Sequence, residues 1–261
     1  MNLIALPAFA DNYIWMLHDG AQAVVVDPGD AAPVHAALDA LDLALAGILV
    51  THHHPDHVGG VNDLRPRLQG PVFGPAREHV PQPCTPLHGG DAIEVLGLHF
   101  RVLDVPGHTA GHIAYQQQPA VPQGALAAPW LFCGDTLFSA GCGRLFEGTA
   151  AQLHDSLTRL AALADDTQVC CTHEYTLSNL RFAAAVEPGN AARAAYEARC
   201  LALRATGTPT LPSTIGLERQ INPFLRCDAP EVVASALAQG AVDGEPLAVF
   251  TTLREWKNRF R

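Results

Sequence analysis

The chain has 261 residues and a net charge of -10 at pH 7 with histidine neutral. This length allows one large domain or two modest ones around a real core, and 16% charged residues argues against disorder. So acidic a chain is a poor general binder of nucleic acid or of an anionic membrane, and it has no apolar run of the ~18 residues that a bilayer span needs.

The opening "MNLIALPAFADNYIW" has no basic segment and meets Asp11 early, unlike a secretory leader. A cytoplasmic location is expected. "AVVVDPGD" reads as a buried strand ended by Pro28-Gly29, with Asp27 placed to orient a metal ligand from behind. "APVHAALDAL" has helical spacing. "LAGILVT" is another buried strand, and it delivers "HHHPDHVGG" at its end.

That stretch places His52, His54, Asp56 and His57 within six positions. Residues two apart on an extended segment point the same way, so His52 and His54 can face one ion. Asp56 and His57 lie past Pro55, where the chain must turn, and can serve a second. His53 is out of phase and points away. Imidazole and carboxylate ligands without sulfur suit catalytic zinc, iron or manganese rather than a structural zinc knot. Packing alone does not account for such a cluster, but from these residues one metal, two metals or none all remain open.

"LHFRVLDVPGHT" and "GHIAYQQQ" read as strands. His108 follows the first, where Gly107 lets the backbone come close. His112 begins the second and reads as structural. "QQQPAVPQG" is a short surface loop. "PWLFCGDTLF" is a strand ending at Asp135, and "TQVCCTHEYT" is one ending at His173. Between them, "TAAQLHDSLTRLAAL" is a helix with Thr149 at its N-cap. Candidate ligands therefore recur just past the carboxyl ends of apolar strands, where layered folds build their sites.

From about residue 176 the chain is rich in Ala, Leu and Arg, with no convincing strand, and a helical region is expected. Arg254 and Lys257 lie one helical turn apart near its end. The alternative is an ordinary solvated helix face. The seven cysteines are odd in number and contain no Cys-x-x-Cys, so they read as buried reduced thiols.

The order His52-x-His54-x-Asp56-His57, His108, Asp135, His173 resembles the signature of the metallo-β-lactamase superfamily. "PAFADNYIW", "THHHPDHVGG", "PGHTAGHI", "GDTLFSAGCGRLFEGT", "THEYTLSNLRF" and "INPFLR" resemble, in order and over the whole chain, the hydroxyacylglutathione hydrolase (glyoxalase II) family within it. The resemblance implies an α+β fold, a four-layer αββα sandwich over residues 1–173, with a helical substrate-binding domain over 174–261. It implies two divalent ions, zinc first with iron or manganese as alternatives. His52, His54 and His108 would hold one, Asp56, His57 and His173 the other, and Asp135 would bridge them. Asp56 and Asp135 would be the catalytic carboxylates.

It also implies the activity: hydrolysis of S-D-lactoylglutathione to glutathione and D-lactate, the second step of methylglyoxal detoxification. A monomer is expected, and the acidic charge argues against nucleic acid or membrane partners. Arg144, Phe146, Tyr175, Arg254 and Lys257 match positions that contact glutathione. Phe146 stands where some relatives carry tyrosine, and it cannot donate a hydroxyl hydrogen bond. Other members of the superfamily, such as a different thioesterase or an iron persulfide dioxygenase, are the nearest alternatives. A non-catalytic metal-binding module is the alternative from another class.

Overall fold

The computed structural model describes residues 1–118 and 128–260. Residues 119–124 of the expected "QQQPAVPQG" loop lie outside the described residues. Strands β1 (Asn2–Ala8), β2 (Asn12–His18) and β3 (Gln22–Val26) open the chain, followed by helix α1 (Ala31–Leu41) and β4 (Ala44–Leu49). Two short helices, α2 (Pro55–Val58) and α3 (Val61–Leu64), precede strands β5 (Val72–Pro75), β6 (Thr85–Leu87), β7 (Ala92–Val95), β8 (Leu98–Asp104), β9 (Ile113–Gln117) and β10 (Trp130–Gly134). Then come β11 (Leu137–Phe138), β12 (Gly141–Cys142), α4 (Ala150–Ala161), β13 (Gln168–Cys171), α5 (Thr176–Val186) and α6 (Ala191–Ala205). The chain closes with β14 (Ser213–Thr214), α7 (Ile215–Ile221), α8 (Pro230–Ala238) and α9 (Pro246–Arg259). The fold is α+β, as the sequence implies. Among the described residues no helix is long and apolar enough to cross a membrane.

The chain divides into two compact units. The first comprises residues 1–104, 110–134 and 170–173. Its first sheet runs β1-β2-β3-β4-β5-β6. It is antiparallel up to β3 and parallel from β3 to β6. The switch falls where α1 carries the chain across from β3 to β4, since a parallel neighbour needs a crossover. Asp30 caps α1 by accepting from the Ala32 amide at 2.9 Å. Its apolar stripe, Val34 and Leu38, joins Ile14, Met16, Val25, Ile48 and Val50 in the core. The second sheet of this unit is antiparallel from β7 to β10, with Cys170–Cys171 of β13 beside β10. Hydrogen bonds tie the two sheets together near the strand ends. The Tyr115 hydroxyl donates to Val50 O (2.9 Å), the Ile113 amide to Thr51 O (3.0 Å) and the Trp15 indole to Cys171 O (3.0 Å).

The second unit comprises residues 105–109, 135–169 and 174–261. Thr149 caps α4 with a full capping box: it accepts from the Gln152 amide while the Gln152 side chain accepts from its own amide. Helices α5, α6 and α7 enclose a small core of Ala140, Leu180, Tyr196, Cys200 and Ile221. The region after residue 176 is helical, as its composition suggests, but it also holds the two-residue strand β14, paired with Gln168–Val169. So short a strand leaves no period-2 signature.

Candidate metal centre and cavity

In the first unit, β4 ends one residue before Val50, whose amide donates to Phe73 O at 2.8 Å. Its continuation, Thr51–His54, is extended until Pro55 starts α2, so the chain turns where Pro55 requires it. His52 and His54 face each other before the turn, Nε2 to Nδ1 at 3.0 Å. Asp56 and His57 come after it. Asp56 Oδ2 lies 3.5 Å from His57 Nε2 and 3.5 Å from His173 Nε2. His173 arrives from the end of β13, where it bridges to Asn12.

These three side chains bring ligand atoms within 4.8 Å of one another. Metal bonds of about 2 Å at a tetrahedral angle would set such atoms about 3.3 Å apart. The far sides of the rings are held by oxygen. His57 Nδ1 lies 3.1 Å from Asp27 Oδ2, and His173 Nδ1 lies 2.8 Å from Asp11 Oδ1. The Asp11 hydrogen bond sets the tautomer of His173, and Nε2 of each ring turns toward Asp56. His52 Nδ1 meets Thr51 Oγ1 at 3.1 Å. Imidazoles, most of them buried, and a part-exposed carboxylate, with no thiolate, fit a divalent metal.

Three supporting residues carry no local signal in the sequence. Asp11 acts across 162 positions. Asn12 Nδ2 donates to Asp56 Oδ2 at 3.0 Å. Glu78 accepts from the His53 amide (2.7 Å) and the Gly111 amide (2.9 Å), and its carboxylate also pairs with His53 Nδ1. His53 therefore turns aside, as its phase predicts. His112 is fully buried and stacked on His52, with ring centroids 4.5 Å apart.

In the second unit, His108 and Asp135 are both nearly buried, with Nε2 to Oδ2 at 3.4 Å. His108 Nδ1 meets Arg144 O at 2.9 Å. Gly107 has φ +147° and passes against Leu153 of α4, where a Cβ would come within 2.5 Å of a side-chain carbon. A cavity of about 450 Å³ opens here. Its walls include His108, Asp135, Arg144, Phe146, Tyr175, Arg254 and Lys257, so one space gathers every second-unit residue singled out from the sequence. Phe146 is 63% exposed and meets the His108 ring edge-on at 5.2 Å.

The basic pair is not a solvated helix face. Arg254 is only 3% exposed. Its Nη1 donates to Cys142 O (2.9 Å) and Gly143 O (3.3 Å), and its guanidinium lies over Phe224 at 5.2 Å. Backbone carbonyls from 111 and 112 positions away hold it in place. Lys257 is partly buried; its Nζ donates to Ser178 O at 3.1 Å and sits over Phe182. Burial, with Arg254, Arg181 and Arg144 nearby, lowers the Lys257 ammonium to about 8. The cysteines are free, and all but Cys84 are buried. Burial pushes the Cys142 thiol up despite the adjoining Arg254.

Fold and donor set together define a protein of the metallo-β-lactamase class with His and Asp groups suited to binding metal. Residues 9–173 match the metallo-beta-lactamase superfamily, and residues 174–260 match the hydroxyacylglutathione hydrolase C-terminus. The chain is 58% identical over 260 residues to a hydroxyacylglutathione hydrolase of Albidiferax ferrireducens, covering 100% of both chains. It is 55% identical over 260 residues to one of Pseudomonas aeruginosa, covering 98% of both. It belongs to the hydroxyacylglutathione hydrolase family. Among solved structures, ETHE1 from Myxococcus xanthus superposes with a TM-score of 0.66 at 27% identity, over 98% of this chain and 90% of that one. TTHA1623 in a di-iron-bound form gives 0.57 at 28%, over 86% and 100%.

Proposed function

We infer that this chain hydrolyses hydroxyacylglutathione thioesters, with S-D-lactoylglutathione as the substrate, and so performs the second step of methylglyoxal detoxification. Family membership supports the reaction. The observation that carries the substrate class is the cavity, which sets basic side chains for a carboxylate-bearing thiol beside the His108–Asp135 pair. Residues 1–173 form the catalytic domain and 174–261 the substrate-binding domain.

In this reading His52, His54 and His108 would hold one divalent ion, Asp56, His57 and His173 would hold the other, and Asp135 would be shared between them. Zinc is the first choice, with iron or manganese as alternatives. When bound, such a pair would supply hydroxide near neutral pH and offset negative charge on the carbonyl oxygen. Asp27 and Asp11 keep the protons of His57 and His173 on Nδ1. Asp56 orients the attacking oxygen. Arg144 and Lys257 take the glutathione carboxylates, and Tyr175 donates to the peptide. Phe146 covers the acyl group without donating a hydrogen bond. The departing thiolate is a good leaving group, so no strong general acid is needed. A cytoplasmic monomer is part of this reading, and the acidic charge speaks against nucleic acid or membrane partners.

The test is a paired assay on purified protein: thioester hydrolysis with S-D-lactoylglutathione, and oxygen consumption with glutathione persulfide. Hydrolysis without oxygen uptake, with two divalent ions per chain by elemental analysis, is expected. Oxygen uptake without hydrolysis would replace this function with a dioxygenase, and one ion at full activity would remove the bridging role of Asp135.

A further inference from the structure

The segment between Asp135 and Arg144 is a tight hairpin, β11–β12, whose ladder pairs Leu137 with Cys142 and Phe138 with Gly141. Its turn has Ala140 at φ +55°, a conformation that a residue with a Cβ rarely adopts. Nothing in "FSAG" demands that shape, so something outside the hairpin must hold it.

What holds it is a set of buried polar side chains from α5 and α7. Glu218 Oε2 accepts from the Ala140 amide at 2.8 Å. Asn222, one turn further along, donates to Phe138 O (3.2 Å), to Gly141 O (2.9 Å) and to Glu218 itself (3.1 Å). Asn179 donates to Ser139 O at 3.0 Å. A Cβ at Gly141 would sit 2.5 Å from the Asn179 amide, so glycine lets that side chain approach. The Ser139 hydroxyl meets the Tyr196 hydroxyl at 3.1 Å. Backbone groups of all four turn residues thus end on side chains of α5 or α7. Glu218 is central to the set and fully buried. A carboxylate costs more to bury than an amide, and burial raises its pKa.

We propose that Glu218 is a positioning residue for the reaction: by holding the Ala140 amide it fixes the Phe138–Gly141 turn, and through the turn it sets Asp135 relative to Arg144. The hairpin transmits the constraint because the Gly143 amide closes back on Thr136 O at 3.2 Å, next to Asp135. On the other flank His108 Nδ1 holds Arg144 O. Loosening the turn therefore displaces a metal ligand and a substrate contact together. This rests on the roles given above to Asp135 and Arg144.

The experiment compares Glu218→Leu, which keeps volume but removes the acceptor, with Glu218→Gln, which keeps one acceptor. Hydrolysis of S-D-lactoylglutathione is measured beside metal loss to a chelator and thermal unfolding. Glu218→Leu should lower kcat/KM at least tenfold and speed metal loss at least threefold. Glu218→Gln should stay within about threefold of the parent in both. Adding Ala140→Gly to Glu218→Leu should recover several-fold, because glycine adopts the left-handed turn without help. Wild-type kcat/KM and metal retention in a folded Glu218→Leu protein would overturn the proposal, as would no recovery with Ala140→Gly. Should Glu218→Leu not fold, Ala140→Gly alone decides. With Glu218 holding the turn it stays within twofold of the parent; a tenfold loss at unchanged stability would show that the Ala140 side chain sets the turn instead. A wild-type protein inactive on the thioester would sink the functional reading alone, since the chelator arm still reads the constraint on Asp135.

Discussion

Asp27 Oδ2 lies 3.1 Å from His57 Nδ1, and both side chains are buried. The same carboxylate accepts from the Thr51 amide and the Thr51 hydroxyl, each at 2.7 Å. One acidic group thus holds the start of the segment that carries His52 and lies against His57 Nδ1. Asp27→Asn keeps the shape but turns one acceptor into a donor. A donor facing His57 Nδ1 favours the wrong tautomer. Metal affinity should fall by about 10- to 100-fold, the usual cost of losing such a partner. Chelator competition measures this directly, and retention equal to the parent's would show that Asp27 does not orient His57.

The thiols should prove chemically incidental. Six of the seven cysteines are buried, and the Cys142 thiol is pushed up by burial even beside Arg254. Iodoacetamide under native conditions should modify Cys84 first, as the one cysteine that is not fully buried. Hydrolytic activity should survive. Full loss of activity with the metal retained would point to a thiol nucleophile instead.

The cluster of candidate ligands was legible because its members are nearly consecutive and sit at a strand end. The α4 start was legible because a capping box is a four-residue signal. The supports were not. Asp11 reaches His173 across 162 positions, and no local pattern marks it. Glu218 lies on α7, seven residues of mixed polarity in which a buried acid looks like a surface one. The i, i+3 spacing of Arg254 and Lys257 left a solvated face open as the alternative for the same reason, since the burial of Arg254 is decided by carbonyls at Cys142 and Gly143.

Arg254→Ala should therefore cost stability as well as substrate binding. It strands two buried carbonyls, at roughly 1–3 kcal/mol for each unsatisfied group. A fall of roughly 5–10 °C in Tm is expected for a chain of this length. The loop bearing Arg144 loses its anchor, so kcat/KM for the glutathione thioester should drop more than tenfold. Arg254→Lys should restore part of the loss: one nitrogen, Nη1, reaches both carbonyls, which an ammonium can also do, but the Nη2 bond to Asn258 and the planar stacking over Phe224 are lost. A raised KM with an unchanged Tm would mean that Arg254 serves the substrate directly and does not anchor the loop.

Lys257 predicts a pH dependence whose sign follows from its surroundings. Burial first, then Arg254, Arg181 and Arg144, lowers its ammonium to about 8. Below that value Lys257 is charged and can hold a glutathione carboxylate; above it the charge is lost. A carboxylate far from the scissile bond is bound about equally in ground and transition states, so losing the contact raises KM and leaves kcat nearly flat. Measured from roughly pH 6.5 to 9.5, a span that brackets this value but not the usual lysine range, KM should climb through about pH 8. Bound carboxylate stabilises the ammonium, so saturating substrate should push the inflection upward. In Lys257→Met, KM should be high throughout, by about tenfold at neutral pH, the low end for a charged hydrogen bond, and its inflection should vanish. A small uncharged thioester should show no such climb in either protein. An identical climb with that thioester would place the titration on the hydrolytic machinery and end the assignment of Lys257 to the substrate carboxylate.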